Sequence, residues 1–302
     1  MATLYTQAEK NIRKTWILIT SFLIFVIFLG WIFARVFNSS LILYFAVFLA
    51  FLQSFISYWY SDKIVLAMTG AKPVEKKDNP ELYRIVENLC ITAGLPVPKI
   101  YIIDDDQPNA FATGRDKNHA VIAVTRGLLE RLEKVELEGV IAHELAHIGN
   151  KDMLLQTVTV TLVGFVAILS DWFLRLSSWG IWIGKRDSER NNASSIFAIL
   201  AIVAAILAPL IAQLIHFAIS RKREFLADAT GALITRYPEG LARALEKIAS
   251  YPYSMKNASM ATAHLFIANP LRGKEKQSWL AKLFSTHPPI EERIKALREM
   301  SI

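Results

Sequence analysis

Residues 143–147 read His-Glu-Leu-Ala-His, a spacing suited to binding one metal ion and activating water on it. Apolar Val140, Ile141, Leu145 and Ile148 recur on neighbouring turns, and acidic Glu133, Glu136 and Glu138 lie upstream. The pattern predicts a helix that ends near Gly149-Asn150. On such a helix His143 and His147 are i and i+4, so both imidazoles leave one face and can hold one Zn²⁺ at about 2.0–2.1 Å. Glu144 sits beside the first ligand, able to reach a metal-bound water without ligating the metal. Zinc lowers the pKa of such a water toward ~7, and a carboxylate can take its proton as it attacks a peptide carbonyl. The competing reading is a chance meeting on a solvated helix. With only six histidines in the chain, that is expected in about one such sequence in a hundred. The setting, an apolar helix directly before a long apolar run, disfavours it further.

Hydrolytic zinc has three protein ligands and one open position. No third histidine follows Gly149 at short spacing, so the third ligand must come from far along the chain. Residues 221–228 read Arg-Lys-Arg-Glu-Phe-Leu-Ala-Asp. On a helix Glu224 and Asp228 share a face, and one can ligate while the other supports a ligating histidine. The residues alone leave other carboxylates open, as well as a plain charged helix start with an Arg221–Glu224 pair. His287, before Pro288-Pro289, is a polar residue in a rigid turn. His119 reads as a loop residue, His216 as a polar residue in an apolar helix and His264 as a loop residue. For these three the structural reading is preferred.

These groups need elements to hold them. Of the 302 residues, 53% are hydrophobic, and the mean hydropathy is +0.31, too apolar for an ordinary soluble protein. Four stretches lack Asp, Glu, Lys and Arg: Thr15–Ala34, Leu41–Tyr60, Met153–Ser170 and Ser194–Ser220. Each reaches or approaches the ~20 residues a membrane helix needs. The first two form a hairpin around Arg35–Ser40. The third is the weaker candidate, diluted by Gln156 and three threonines and stopped by Asp171, with a re-entrant course as the alternative to full spanning. Pro209 in the fourth is tolerable within a membrane bundle. The organisation expected is an N-terminal membrane hairpin (1–60), a first catalytic part (61–152), a second membrane hairpin (153–220) and a second catalytic part (221–302).

The net charge of +7 gathers beside the spans at Lys10, Arg13 and Lys14, at Lys72, Lys76 and Lys77, and at Arg221, Lys222 and Arg223. That distribution indicates membrane orientation with the N-terminus cytoplasmic, and excludes nucleic-acid binding as its purpose. If His143, His147 and Glu224 share a metal, the chain between them crosses the membrane an even number of times. One cysteine, Cys90, excludes an intramolecular disulfide and a cysteine-based zinc cluster. A cleavable signal peptide is not expected. The fold class expected is an α+β integral membrane protein, with about four transmembrane helices and a zincin-like, mainly helical catalytic domain carrying a small β-sheet. Short β-rich runs at Ile100–Ile103 and Ala120–Thr125 bracket the segment 109–114, Thr125 is a plausible N-cap, and Tyr251–Ser285 is a candidate flap over the cleft.

In their order and spacing these motifs resemble the HtpX family of bacterial membrane-bound zinc metalloproteases, relatives of the CAAX prenyl endopeptidases. The resemblance spans Asn109–Gly114, Val124–Leu129, Glu138–His147, Arg221–Asp228, Ala263–Ile267 and Thr286–Pro289. It implies one zinc ion per chain, with Glu224 as third ligand beside His143 and His147, Glu144 as general base and Asp228 as support. It implies that Asn109, Ala110, Phe111, Ala112, Thr113 and Gly114 form the edge strand that extended substrate joins. His287 would donate to the oxyanion, with Arg293 in the same network. The implied activity is zinc-dependent endoproteolysis of misfolded membrane proteins in quality control and the stress response. Its place would be the cytoplasmic face of the bacterial inner membrane, the lipid bilayer itself being a partner. Two alternatives stand beside this. A narrow processing protease of the prenyl-protein type is disfavoured because the chain has fewer apparent spans than those relatives. A non-catalytic metal-binding scaffold is disfavoured by the intact Glu144, since structural zinc needs no adjacent base.

Overall fold

The computed structural model describes residues 4–36, 38–184, 221–259, 261–271 and 288–300. The chain begins with two long apolar helices, α1 (Leu4–Val36) and α2 (Ser40–Trp59), joined by a tight turn. They pack so closely that a Cβ on Gly30 would collide with that of Ala46, and small residues are what permit such contact between membrane helices. Along the outer side of α2, Leu41, Tyr44, Phe45, Phe48, Phe51 and Phe55 are exposed, a surface whose natural solvent is lipid.

A third long helix, α7 (Asp152–Gly184), packs on this hairpin. Leu18, Phe22 and Val26 of α1 meet Leu155, Val158, Leu162 and Val166 of α7 in one apolar cluster. The apolar stretch of α7 ends at Asp171, as its composition reads, while the helix itself runs on to Gly184. The residues that diluted the segment lie inside the bundle: Gln156, Thr157, Thr159 and Thr161 are buried. Thr161 Oγ1 donates to Ser57 Oγ at 2.8 Å, and Gln53 Nε2 donates to the Thr161 carbonyl. Among the described residues three helices are long and apolar enough to cross a membrane, over Glu9–Arg35, Ser40–Trp59 and Asp152–Asp171. The fourth apolar segment, Ser194–Ser220, lies outside the described residues.

Between these helices the chain forms α3 (Ser61–Thr69), β1 (Lys72–Pro73), α4 (Pro80–Ala93), β2 (Lys99–Ile103), β3 (Ala110–Gly114), β4 (Ala120–Thr125), α5 (Arg126–Arg131) and α6 (Lys134–Gly149). Beyond the undescribed stretch come α8 (Arg221–Thr235), α9 (Pro238–Ser250) and α10 (Ile290–Arg298). The four strands lie in the order β1-β2-β4-β3, with β2 and β4 parallel and the other pairs antiparallel. β4, rich in β-branched residues, is buried throughout, and Thr125 caps α5 by accepting from Leu128 N. A single apolar core takes side chains from α4, the sheet, α6, α8, α9 and α10, so residues on both sides of the undescribed stretch share it. α6 enters that core with its start fixed by Glu136, whose Oε2 accepts from Glu133 N and from Lys247 Nζ.

Candidate metal centre

α6 carries the His-Glu-x-x-His residues, and α8 lies across it. The approach depends on Gly231, where a Cβ would stand 3.0 Å from His143 N. One turn and two turns before that glycine, Asp228 and Glu224 face α6. His143, Glu144, His147, Glu224 and Asp228 are all buried.

His143 Nε2 and His147 Nε2 are 3.2 Å apart. Glu224 Oε1 is 3.7 Å from His147 Nε2, and its Oε2 is 3.9 Å from His143 Nε2. Donors at about 2.0–2.1 Å around a tetrahedral zinc are separated by about 3.3 Å, so the three groups are spaced as ligands of one ion. Two neutral ring nitrogens gain nothing by facing each other in a dry site unless a cation or proton lies between them. The outward nitrogens of both rings meet carboxylates. His143 Nδ1 is 2.9 Å from Asp228 Oδ1, a short contact too poorly aligned for a full hydrogen bond. His147 Nδ1 hydrogen-bonds Asp152 Oδ2 at 3.2 Å. Carboxylates on Nδ1 hold the tautomer that offers Nε2 to a metal. The donor set, its spacing and these supports fit a zinc ion.

Burial dominates the electrostatics. It pushes the Glu144 carboxyl up, with help from Glu224 and opposition from His147, to about 7. Burial holds the His143 imidazole below its usual value despite Asp228. For His147 burial acts downward too, but the Asp152 hydrogen bond and the Glu224 carboxylate outweigh it and raise the group to about 9 in the metal-free chain. Glu144 accepts from the Ala112 backbone N–H, while its Oε1 has no hydrogen-bond partner among the described residues.

The segment 109–114 is an edge strand from Ala110 on. Thr125 N donates to Asn109 O, so by antiparallel alternation Phe111 and Thr113 bond β4, and Ala110, Ala112 and Gly114 turn their main-chain groups to the open edge. Asn109 itself precedes the strand, its side chain bonded to Ala268 N and O. Part of the edge is already occupied, because Ile267 N donates to Ala110 O. The expected flap therefore has one described stretch, Ala263–Ala268, that is buried against β3, with Phe266 edge-on to Phe111.

Arg293 belongs to the buried network behind the metal ligands. It is fully buried, forks onto Asp228 at 2.7 and 2.8 Å, and donates to the Ile267 carbonyl. Glu224 is 3.7 Å from it. Asp228, which burial alone would raise, is held below the usual carboxylate range by that guanidinium. His287 and His216 lie outside the described residues. His119 is an exposed loop residue bonded to Asp116, and His264 is buried against the Gln156 carbonyl. Asp152 was not singled out from sequence. It stands five residues after His147 across a helix end, and there it read only as the boundary of an apolar run.

The model of peptidase family M48 matches residues 76–301, a span that contains all the residues just described. The chain belongs to peptidase family M48. This M48 metalloprotease is 46% identical over 302 residues to "Protease HtpX homolog" of Thermoanaerobacter pseudethanolicus, with 99% of each chain covered. It is 50% identical over 263 residues to the protein of that name from Thermococcus sibiricus, covering 85% and 86%. The resemblance to the HtpX family thus extends over the full length. A solved structure, "Crystal Structure of S. mikatae Ste24p", is similar at 21% identity and a TM-score of 0.49, over 88% of this chain and 61% of that one.

Proposed function

We propose that this M48 metalloprotease is a zinc-dependent endopeptidase that cleaves unfolded or misfolded membrane proteins at the cytoplasmic face of the bacterial inner membrane. The observation that carries the reading is the convergence of two imidazoles and one carboxylate at ligand spacing beside a buried carboxylate with an open oxygen. The family membership and the three described apolar helices support it.

His143, His147 and Glu224 are the proposed ligands, with Asp228 and Asp152 orienting the two rings. Zinc, when bound, polarises a peptide carbonyl and makes water acidic enough to attack it near neutral pH. Glu144 takes the proton at its open carboxylate oxygen and returns it to the leaving amine. The Ala112 carbonyl and the main-chain groups of Gly114, left open on the β3 edge while the Ala112 N–H serves Glu144, hold the substrate main chain in extended form, a sequence-tolerant contact suited to damaged proteins. Arg293 acts by fixing Asp228 rather than by touching substrate, and His287 is the proposed oxyanion donor. An even number of membrane crossings between His147 and Glu224 is part of this proposal, since it keeps Glu224 on the side of His143. The catalytic domain is then one body in two sequence pieces.

The test is cleavage of unfolded casein by detergent-purified, zinc-loaded enzyme, beside Glu144→Gln and a chelated sample. Cleavage by the wild type alone is expected. Turnover that survives Glu144→Gln would sink the mechanism.

A further inference from the structure

The first membrane helix reaches the metal centre directly. Asn11, near the start of α1, is 1% exposed and uses both ends of its side-chain amide. Its Nδ2 donates to Asp152 Oδ1 and to the Asn150 carbonyl, and its Oδ1 accepts from Arg223 Nη1 at 3.4 Å. The other oxygen of Asp152 holds His147 Nδ1. Asn150 ends α6, which carries both histidines, and Arg223 precedes Glu224 in α8. One amide therefore ties α1 to the three places where the proposed ligands are anchored.

Asp152 is a fully buried carboxylate. The Arg223 guanidinium is 3.5 Å from its Oδ1, with Nε making no hydrogen bond among the described residues. Without the Asn11 amide, Oδ1 loses its hydrogen bond and keeps only the looser attraction of the nearby cations Arg223 and Lys14, so the carboxylate can turn and take the His147 ring with it. Packing of α1 on α7 does not require a polar clip, since Leu18, Phe22 and Val26 supply it. Thr15, one turn further along the same buried face, donates only to the Asn11 carbonyl.

We propose that Asn11 is a positioning residue for the metal centre: by holding Asp152 it sets the His147 ring, so that the docked first membrane helix completes the zinc site. The proposal rests on the reading of His143, His147 and Glu224 as ligands.

The test is the zinc dissociation constant of the full-length, detergent-purified protein, measured by competition with a chromophoric chelator, with the visible spectrum of the Co²⁺-loaded form as a second readout. Loss of an outer support of a metal ligand weakens affinity about 10–100-fold. Asn11→Ala is expected to weaken zinc binding by that factor and to alter the Co²⁺ bands. Thr15→Ala, which loosens the same helix without touching Asp152, is expected to stay within about twofold of wild type. In an Asp152→Asn background, Asn11→Ala is expected to add nothing. Asn11→Asp keeps the size and replaces the donor by a carboxylate facing Asp152, so it must weaken zinc binding even if the alanine variant folds poorly. Wild-type affinity in Asn11→Asp or Asn11→Ala, or full additivity with Asp152→Asn, overturns the proposal and leaves the ligand reading standing. A wild-type protein that binds no zinc removes both.

Discussion

Glu144 is held at the open edge of a strand with one oxygen unpartnered among the described residues, and its chemistry depends on that single atom. Glu144→Gln is expected to lower turnover about 10²–10⁴-fold, the usual range for a general base, with zinc content by atomic absorption unchanged. Arg293→Ala leaves Asp228 as a buried, uncompensated charge beside His143, at a cost of about 3–5 kcal/mol, to be read by denaturant unfolding of the metal-loaded protein. The metal-free chain has its own pH signature. His147, raised to about 9, contributes stability that is complete below its ordinary value of about 6.5 and is lost as pH rises through 9. Glu144, raised to about 7, acts in the same direction between about 4.5 and 7. The lowered His143 opposes them only at acid pH. The Tm of chelator-stripped protein should therefore fall from pH 6.5 to 9, and a flat profile would contradict these environments. At this scale the histidine pair was legible because i,i+4 spacing is local geometry. Asp152 was not, because its contact depends on the turn at Lys151, which adopts φ +55° and brings the start of α7 under His147.

Between elements, the crossing of α6 and α8 decides whether Glu224 reaches the histidines, and Gly231 permits it. Gly231→Val should drive the helices apart and weaken zinc binding about 10–100-fold; zinc affinity equal to wild type would mean that the crossing does not set the ligand spacing. Sequence periodicity read α6, its end at Gly149-Asn150 and strands β2 and β4 correctly, since each depends on its own residues. It could not show that Gly231 lies against His143, nor that Ala263–Ala268 occupies part of the β3 edge, because both are contacts between distant parts of the chain. Composition read where the apolar run of α7 ends, at Asp171, but not that the helix goes on to Gly184. Its threonines are buried, Thr161 against Ser57 and Thr157 against Thr113, and a segment buried within a bundle tolerates threonine that a lipid-facing one does not.

For the whole molecule, three described apolar helices predict that the protein stays with membranes through alkaline carbonate washing; release into the supernatant would exclude spanning by these helices. The exposed aromatic face of α2 and the inward polar face of α7 fit a metal centre set at the end of a small bundle, close to the bilayer surface. The three described apolar helices were legible in the sequence, because burial in lipid imposes length and composition on it. The central claim is that one zinc ion is held by two imidazoles and a carboxylate. X-ray absorption at the zinc edge of the purified protein tests it most directly. The account predicts one zinc per chain with oxygen and nitrogen ligands only, two of them imidazoles, and loss of one oxygen ligand or of the metal itself in Glu224→Ala. A zinc shell unchanged by Glu224→Ala, or a purified chain that takes up no zinc, would contradict it.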